Sequence, residues 1–580
     1  MREQLTKLRA LMAARHIDAY LIPTTDFHGS EYVNDYFKCR RYVSGFTGSA
    51  GTLLVTPDEA WLWTDGRYFL QAADQLAGTG IGLMKEKEPG VPTITEYLSS
   101  LAAGRPDAAF RLGFDGRVVD CTAGERFEEF CSSVEYELDL AGEIWEDRPQ
   151  IRPSKIYALP ESVTGESAAS KLSRLREYLK DNGAQCHLMT SLEEIAWLFN
   201  LRGSDVANTP VFFAFALITS QEARLYVMDR HLPPVDGVTV LPYLQIFEDI
   251  KTLDAETILL DQEVVSYALI KSLPKETRII SGRNPVSLMK ALKNPVEIAA
   301  TRRAHVKDGA AMVRFLCWLK QSAGAVDLTE VSAADYLERC RRAQEGCFDL
   351  SFPTIAGYGP NGAIVHYDPT LSGGSPLKAE GLLLVDSGGQ YTDGTTDITR
   401  TIALGPLTEE MKRHYTLVLR SHIALARAVF PAGTTGAELD GIARKPLRDQ
   451  GLDFNHGTGH GVGHILSVHE GPQRIAETGT ACPFYPGMIT SNEPGVYIEG
   501  SHGIRLENEI LCVEEENGSY GFETITLCPF DREAILPELM TDEELSWLNR
   551  YHEQVREILL PLVDEETGRW LTEATAEIRR

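Results

Sequence analysis

The chain has 580 residues, 43% hydrophobic and 24% charged, a globular composition that excludes disorder as the main state and collagen-like or long coiled-coil architectures. Domains of roughly 100–200 residues predict three or four of them. Acidic residues outnumber basic ones 83 to 56, a formal charge of −27, and no Lys/Arg cluster interrupts it, so nucleic acid is not an expected partner.

No apolar run approaches the ~20 residues of a membrane span, so no membrane partner is expected. The start, Met1 to Lys7, has no charged stretch followed by an apolar one and does not read as a secretory signal. Ten cysteines are scattered without a C-x-x-C pair, which predicts a reducing, cytoplasmic location rather than a disulfide scaffold.

Leu5, Leu8, Leu11 and Met12 have helical spacing, and Ala19–Ile22 follows as a short apolar strand closed by Pro23. The same grammar returns with Leu172, Leu175, Tyr178 and Leu179, a stop at Asn182-Gly183, and the strand Cys186–Met189. After each strand come an aromatic, glycine-containing stretch (Tyr42–Phe46, then Trp197–Gly203) and another apolar strand (Gly51–Val55, then Val211–Ile218). This predicts two tandem α/β copies offset by about 165 residues, joined by the Pro-containing stretch Asp147–Pro153. A further region opens at Asn294-Pro295-Val296-Glu297, where an N-cap, a first-position proline and a capping-box Glu begin a helix.

That region carries the chemistry. Gly381–Asp386 is an apolar strand ending on a carboxylate, a Gly-rich turn follows, and Thr395–Ile402 returns with β-branched alternation. Paired as a hairpin, these strands set Asp386 opposite Asp397, and two carboxylates so close repel unless a divalent cation lies between them. His456, His460, His464 and His469 are four of the chain's 14 histidines within 14 positions, interleaved with glycines. The segment is neither a dinucleotide fingerprint nor a zincin, because Gln473 stands where H-E-x-x-H needs His. His464 reads as a structural histidine. Glu493 follows a strand begun at Gly487–Ile489, and in Gly503–Asn508 alternation puts Arg505 and Glu507 on one face. A set of carboxylates with one imidazole suits Mn²⁺, Co²⁺, Zn²⁺ or Fe²⁺, and carboxylates bridging two metals make a hydrolase arrangement.

The order Asp386, Asp397, His460, Glu493, Glu507 is similar to that of the pita-bread metallopeptidases, which include methionine aminopeptidase, prolidase and aminopeptidase P. The phrases 456–464, 468–472, 491–495, 503–508 and 363–367 resemble the aminopeptidase P family in particular. Tyr42–Gly51, Trp63–Tyr68, Ile195–Ser204 and Trp547–His552 resemble its long, three-domain cytosolic form. The resemblance implies two creatinase-like α/β domains, 1–158 and 159–290, followed by an α+β pita-bread catalytic domain, 291–580. It implies Asp386, Asp397, His460, Glu493 and Glu507 as ligands of two divalent ions, most simply Mn²⁺, with Asp397 and Glu507 bridging or chelating the pair. His366, His456 and His469 would surround the substrate, Glu493 would shuttle a proton, and Arg505 would position ligand and substrate carboxylates. Arg67 would reach a substrate site in the neighbouring subunit of a homodimer. The implied activity is removal of the first residue from peptides with proline second, by a hydroxide activated by two metals. Prolidase, with the same chemistry on dipeptides, is the alternative. A non-catalytic pita-bread scaffold or a creatinase-type enzyme would lack ligands that are all filled here.

Overall fold

The structure, a computed structural model, describes residues 2–104, 110–478 and 481–580, except for the side chain of Ser372. It divides into two compact units, Met1–Glu161 with Glu166–Ser287, and Ser162–Gly165 with Leu288–Arg580.

The N-terminal unit holds the two tandem copies. In the first, a six-stranded sheet runs 82–85, 60–64, 52–55, 19–23, 111–113, 133–135. In the second the order is 238–242, 223–227, 214–219, 186–189, 257–260, 278–281. The directions repeat as well: the central strand, 19–23 or 186–189, is antiparallel to 52–55 or 214–219 and parallel to 111–113 or 257–260. The helix Glu3–Arg15 buries Leu5, Leu8 and Met12, and its counterpart Ala168–Asp181 buries Leu172, Leu175 and Leu179. The second helix stops at Asn182, and Gly183 takes the left-handed φ of +69° that a side chain would resist. The stretch 147–153 carries no regular element.

The C-terminal unit opens with the 28-residue helix Pro295–Ser322. Asn294 accepts from the amides of Val296 and Glu297, and Glu297 returns a carboxylate to the Asn294 amide, so the capping box is complete. Three-stranded sheets (355–358, 382–387, 398–403 and 347–350, 389–391, 394–395), a five-stranded sheet (470–475, 459–461, 489–492, 508–514, 520–524) and the ribbon 495–498 with 502–505 carry the functional segments. Helices Glu409–Ala426 and Asp542–Leu559 cover them, with Tyr415, Val418, Leu419, Leu548 and Val555 in one core with Leu382, Ile504 and Phe530. No helix among the described residues is long and apolar enough to cross a membrane.

Asn294 also donates from Nδ2 to the carbonyl of Thr164 at 2.8 Å. Asn294→Ala removes the cap and this tie together and is expected to cost about 1–2 kcal/mol, read as a lower midpoint of chemical unfolding. An unchanged midpoint would show that the cap contributes nothing.

Candidate metal centre

The aspartates come from one ladder. Strand Leu382–Ser387 pairs antiparallel with Ile398–Ala403, but the cross-strand partner of Asp386 is Thr399, and on its other side Ile355. The simple hairpin predicted from sequence is therefore corrected: residues 389–391 and 394–395 leave to join the 347–350 strand, and Asp397 sits just before its strand, two positions from Thr399. Gly388 permits the excursion, because a Cβ there would collide with the Thr396 carbonyl and the Ser351 hydroxyl.

The glutamates come from a second ladder. Ile489–Asn492 pairs with Asn508–Glu514, ending at Asn492 opposite Asn508, so Glu493 and Glu507 emerge together from one end. His460 lies on the neighbouring strand 459–461, and its amide donates to Ser491 Oγ at 3.0 Å. The expected continuous strand through 503–508 is broken at Leu506–Glu507. Arg505 and Glu507 nonetheless converge on one hydroxyl: Arg505 Nε donates to Thr399 Oγ1 at 3.2 Å, and Thr399 Oγ1 donates to Glu507 Oε2 at 2.7 Å.

Ligand-type atoms of Asp386, Asp397 and Glu507 lie within 4.8 Å of one another, as do those of His460, Glu493 and Glu507, and of Asp397, His460 and His469. Asp397 and Glu507 are 3% and 1% exposed, so their charges have little water to rely on. Burial, then the Asp386 charge, pushes the Asp397 carboxyl well above the usual range, and burial with Asp397 and Asp386 does the same to Glu507. Burial pushes Glu493 up to about 7 against the pull of His460 and Arg505. Asp386 Oδ1 and Asp397 Oδ1 are buried with no hydrogen-bond donor. Acceptor-only oxygens, crowded, desolvated and undonated, beside imidazoles are a donor set that fits divalent cations.

Around the cluster, Arg505 is 1% exposed and pairs through Nη2 with Asp386 Oδ2 at 2.6 Å. Its Nη1 donates to the Tyr497 hydroxyl at 2.8 Å, and the same hydroxyl lies 2.8 Å from His456 Nε2, while His456 Nδ1 lies 2.7 Å from the Gly457 carbonyl. Both His456 nitrogens are thus engaged, and a bond to a substrate requires one partner to be exchanged. His469 sets its ring edge-on to His460, centroids 4.4 Å apart. His366 is half-buried in the turn after Ala363, next to the Val365 carbonyl that accepts from Arg505 Nη2 at 3.4 Å. His464, 2% exposed, lies 3.2 Å from both Thr301 Oγ1 and the Val163 carbonyl, a structural role. Arg67 belongs to the N-terminal unit, where Asp65 binds it at 2.9 and 2.8 Å and Glu31 lies at 3.6 Å.

Three residues were not singled out from sequence. Thr399 shares the alternation of Asp397, Tyr497 shares that of Gly495 opposite Arg505, and Glu509 follows Glu507 at the same spacing. Glu509 accepts from the Asp397 amide at 2.8 Å. Alternation was the available signal in each case.

Residues 299–514 match metallopeptidase family M24, and 518–578 match the C-terminal region of the same peptidase family. Residues 4–149 and 147–297 each match the creatinase/prolidase N-terminal domain, which bears out the predicted fold class. The chain belongs to metallopeptidase family M24 and is a hydrolase of that family. Within it, the chain is 39% identical to a probable Xaa-Pro aminopeptidase P of Laccaria bicolor over 97% of this chain and 91% of that one. It is 39% identical to aminopeptidase P2 of Arabidopsis thaliana, over 100% of this chain and 89% of that one. The X-prolyl aminopeptidase of Caenorhabditis elegans, described as cytosolic with a di-nuclear active site, superposes with a TM-score of 0.95 at 34% identity over 99% of both chains.

Glu493, pushed up to about 7, holds a proton at pH 6 in the metal-free site, and a metal ion must displace it to gain its ligand. Loading divalent metal into metal-stripped protein at pH 6 is expected to release protons, seen calorimetrically as a binding enthalpy that changes with the buffer's ionisation enthalpy. The same enthalpy in all buffers would contradict the raised carboxyls.

Proposed function

We propose that this chain removes the first residue from peptides whose second residue is proline, using two divalent metal ions. The observation that carries the reading is likeness along the whole chain to Xaa-Pro aminopeptidases P, at 39% identity. The buried carboxylates with their neighbouring imidazoles support it. Asp386, Asp397, His460, Glu493 and Glu507 would hold the ions, and Mn²⁺ suits this set, with Co²⁺ or Zn²⁺ as competitors. When bound, the ions supply an acidified water and polarise the scissile carbonyl.

The protein's own groups handle binding and protons. Glu493, pushed up to about 7 in the metal-free site, carries a proton on a carboxylate oxygen to the leaving proline nitrogen. The site carboxylates hold the free amine of the first residue. His366, His456 and His469 line the substrate, with His456 exchanging a present partner, the Tyr497 hydroxyl or the Gly457 carbonyl, for the scissile carbonyl oxygen, and Arg505 orients Asp386 and the substrate carboxylate. The X–Pro bond has no N–H, so recognition falls on the carbonyl, the amine and the ring. A homodimer in which Arg67 reaches a substrate site in the partner subunit belongs to the same reading. So does a cytoplasmic location, supported by ten free cysteines.

An X-Pro dipeptide, an X-Pro-Y tripeptide and an X-Ala-Y tripeptide, compared at equal concentration with Mn²⁺, separate the alternatives. The X-Pro-Y peptide should be cut at its first bond, X-Ala-Y far more slowly, and N-acetylated X-Pro-Y not at all. Cleavage of the dipeptide alone would mean prolidase, equal cleavage of both tripeptides a general aminopeptidase, and no cleavage of any a binding scaffold.

His456→Ala is expected to lose roughly 10²–10³ in kcat while metal content stays near normal. A variant that keeps its metals and the full rate would remove His456 from the chemistry.

A further inference from the structure

Behind the carboxylate cluster lies a buried cation. Arg400 is 1% exposed. Its Nη1 donates to the carbonyl of Glu507 at 2.6 Å and of Thr399 at 2.9 Å. Nη2 donates to the Cys528 carbonyl at 2.7 Å, to Asn508 Oδ1 at 2.8 Å and to the Tyr551 hydroxyl at 3.2 Å, and Nε donates to the Pro529 carbonyl at 3.1 Å. The Phe530 ring lies beneath the guanidinium, 4.3 Å from its carbon. Each of these acceptors is a neutral oxygen. A desolvated charge spread over neutral acceptors is expensive to keep, and here it ties together two segments that are distant in sequence. On one side are Thr399 and Glu507. On the other are residues of the C-terminal segment, whose Tyr551 hydroxyl also donates to the Cys528 carbonyl at 2.9 Å.

The same layer reaches the second glutamate. His422, fully buried, lies with Nδ1 3.1 Å from the Asn492 carbonyl and 3.3 Å from the Leu506 carbonyl, while Asn508 Nδ2 donates to its Nε2 at 3.2 Å. Asn492 and Leu506 are the residues immediately before Glu493 and Glu507. Phe530 and Trp547, from the C-terminal segment, pack edge-on against the His422 ring. Nδ1 faces two carbonyls and Nε2 an amide donor, so a neutral imidazole satisfies all three. Burial, with the Arg400 charge adding to it, pushes His422 down to about 3, in keeping with that form.

We propose that Arg400, braced by Cys528, Pro529 and Tyr551, is a positioning residue that fixes the backbone of Glu507, so that the C-terminal segment sets metal affinity at the site. This rests on the reading of Glu507 as a metal ligand. Thr399 Oγ1 holds the carboxylate and Arg400 holds the carbonyl of the same residue, which leaves Glu507 little freedom to turn away. Groups that orient ligands in this way typically govern metal affinity by 10–100-fold.

The test is Mn²⁺ binding to metal-stripped full-length protein, by competition with a fluorescent chelator, for wild type, Arg400→Lys, Tyr551→Phe and Glu507→Ala. Melting of the stripped proteins and KM and kcat at saturating Mn²⁺ are measured alongside. We expect Arg400→Lys to raise the Mn²⁺ Kd by about 10–100-fold, with peptide KM unchanged and kcat largely restored once metal saturates. A purely structural role would lower the melting temperature and leave the Kd of folded protein where it was, and that result would overturn the proposal. If Arg400→Lys does not fold, Tyr551→Phe decides, since it removes one hydroxyl and keeps the ring: a raised Kd supports the brace and an unchanged one overturns it. Wild-type affinity in Glu507→Ala would mean that the ligand reading itself is wrong, and the brace falls with it.

Discussion

Mutual repulsion among buried carboxylates is the constraint around which the C-terminal unit is organised. Asp386, Asp397 and Glu507 offer oxygens within 4.8 Å of one another. At that separation, with an effective dielectric near 20, each pair of full charges would oppose the fold by roughly 3–4 kcal/mol. Arg505 neutralises part of this through Asp386, yet one oxygen of Asp386 and one of Asp397 remain buried and undonated. The cluster therefore holds protons or cations.

The backbone of these residues is set at the ends of ladders rather than within them. Asp386 lies near the end of its strand and Asp397 just before the start of the next, while Glu493 and Glu507 emerge beyond the Asn492–Asn508 pair. Past the last pair each glutamate keeps one backbone bond, Glu493 N–H to the Thr458 carbonyl at 2.8 Å and Glu507 N–H to the Thr399 carbonyl at 3.1 Å. A dry polar layer adds to these. Glu509 holds the Asp397 amide, Thr399 the Glu507 carboxylate, Arg400 the Glu507 carbonyl, and His422 the carbonyls before both glutamates. Every one of these groups is at most 1% exposed, so water does not compete for the bonds.

What the sequence revealed follows from which interactions are local. The two α/β copies were legible because helix spacing, a glycine stop and an apolar strand recur in order, and each depends on near neighbours. The acidic and histidine segments were legible because ligand-bearing residues are dense and chemically unmistakable. The two strands pair as expected, but Asp386 faces Thr399 rather than Asp397, because alternation shows which residues share a face but not that 389–391 and 394–395 leave to join another sheet. Tyr497, Thr399 and Arg400 were not legible as functional residues. Their work is done on backbone carbonyls or on other side chains up to about 150 positions away, and alternation gives the face they share but not the partner they hold. The Trp547–His552 segment stood out by resemblance alone, and its packing against Phe530 and His422, with the Tyr551 hydroxyl bonded to Arg400 and Cys528, gives it a physical place.

Glu493 is where the two proposed roles, metal ligand and proton carrier, meet on one carboxylate. Burial pushes its pKa up to about 7, while His460 and Arg505 pull it the other way. A cation at the cluster adds to that pull, because it favours the charged form as any nearby positive group does. With a cation bound the carboxyl is therefore more acidic than in the metal-free site, so protonation and metal binding compete for it. Its place in the site is set by the strand end at Asn492, whose backbone His422 holds from behind.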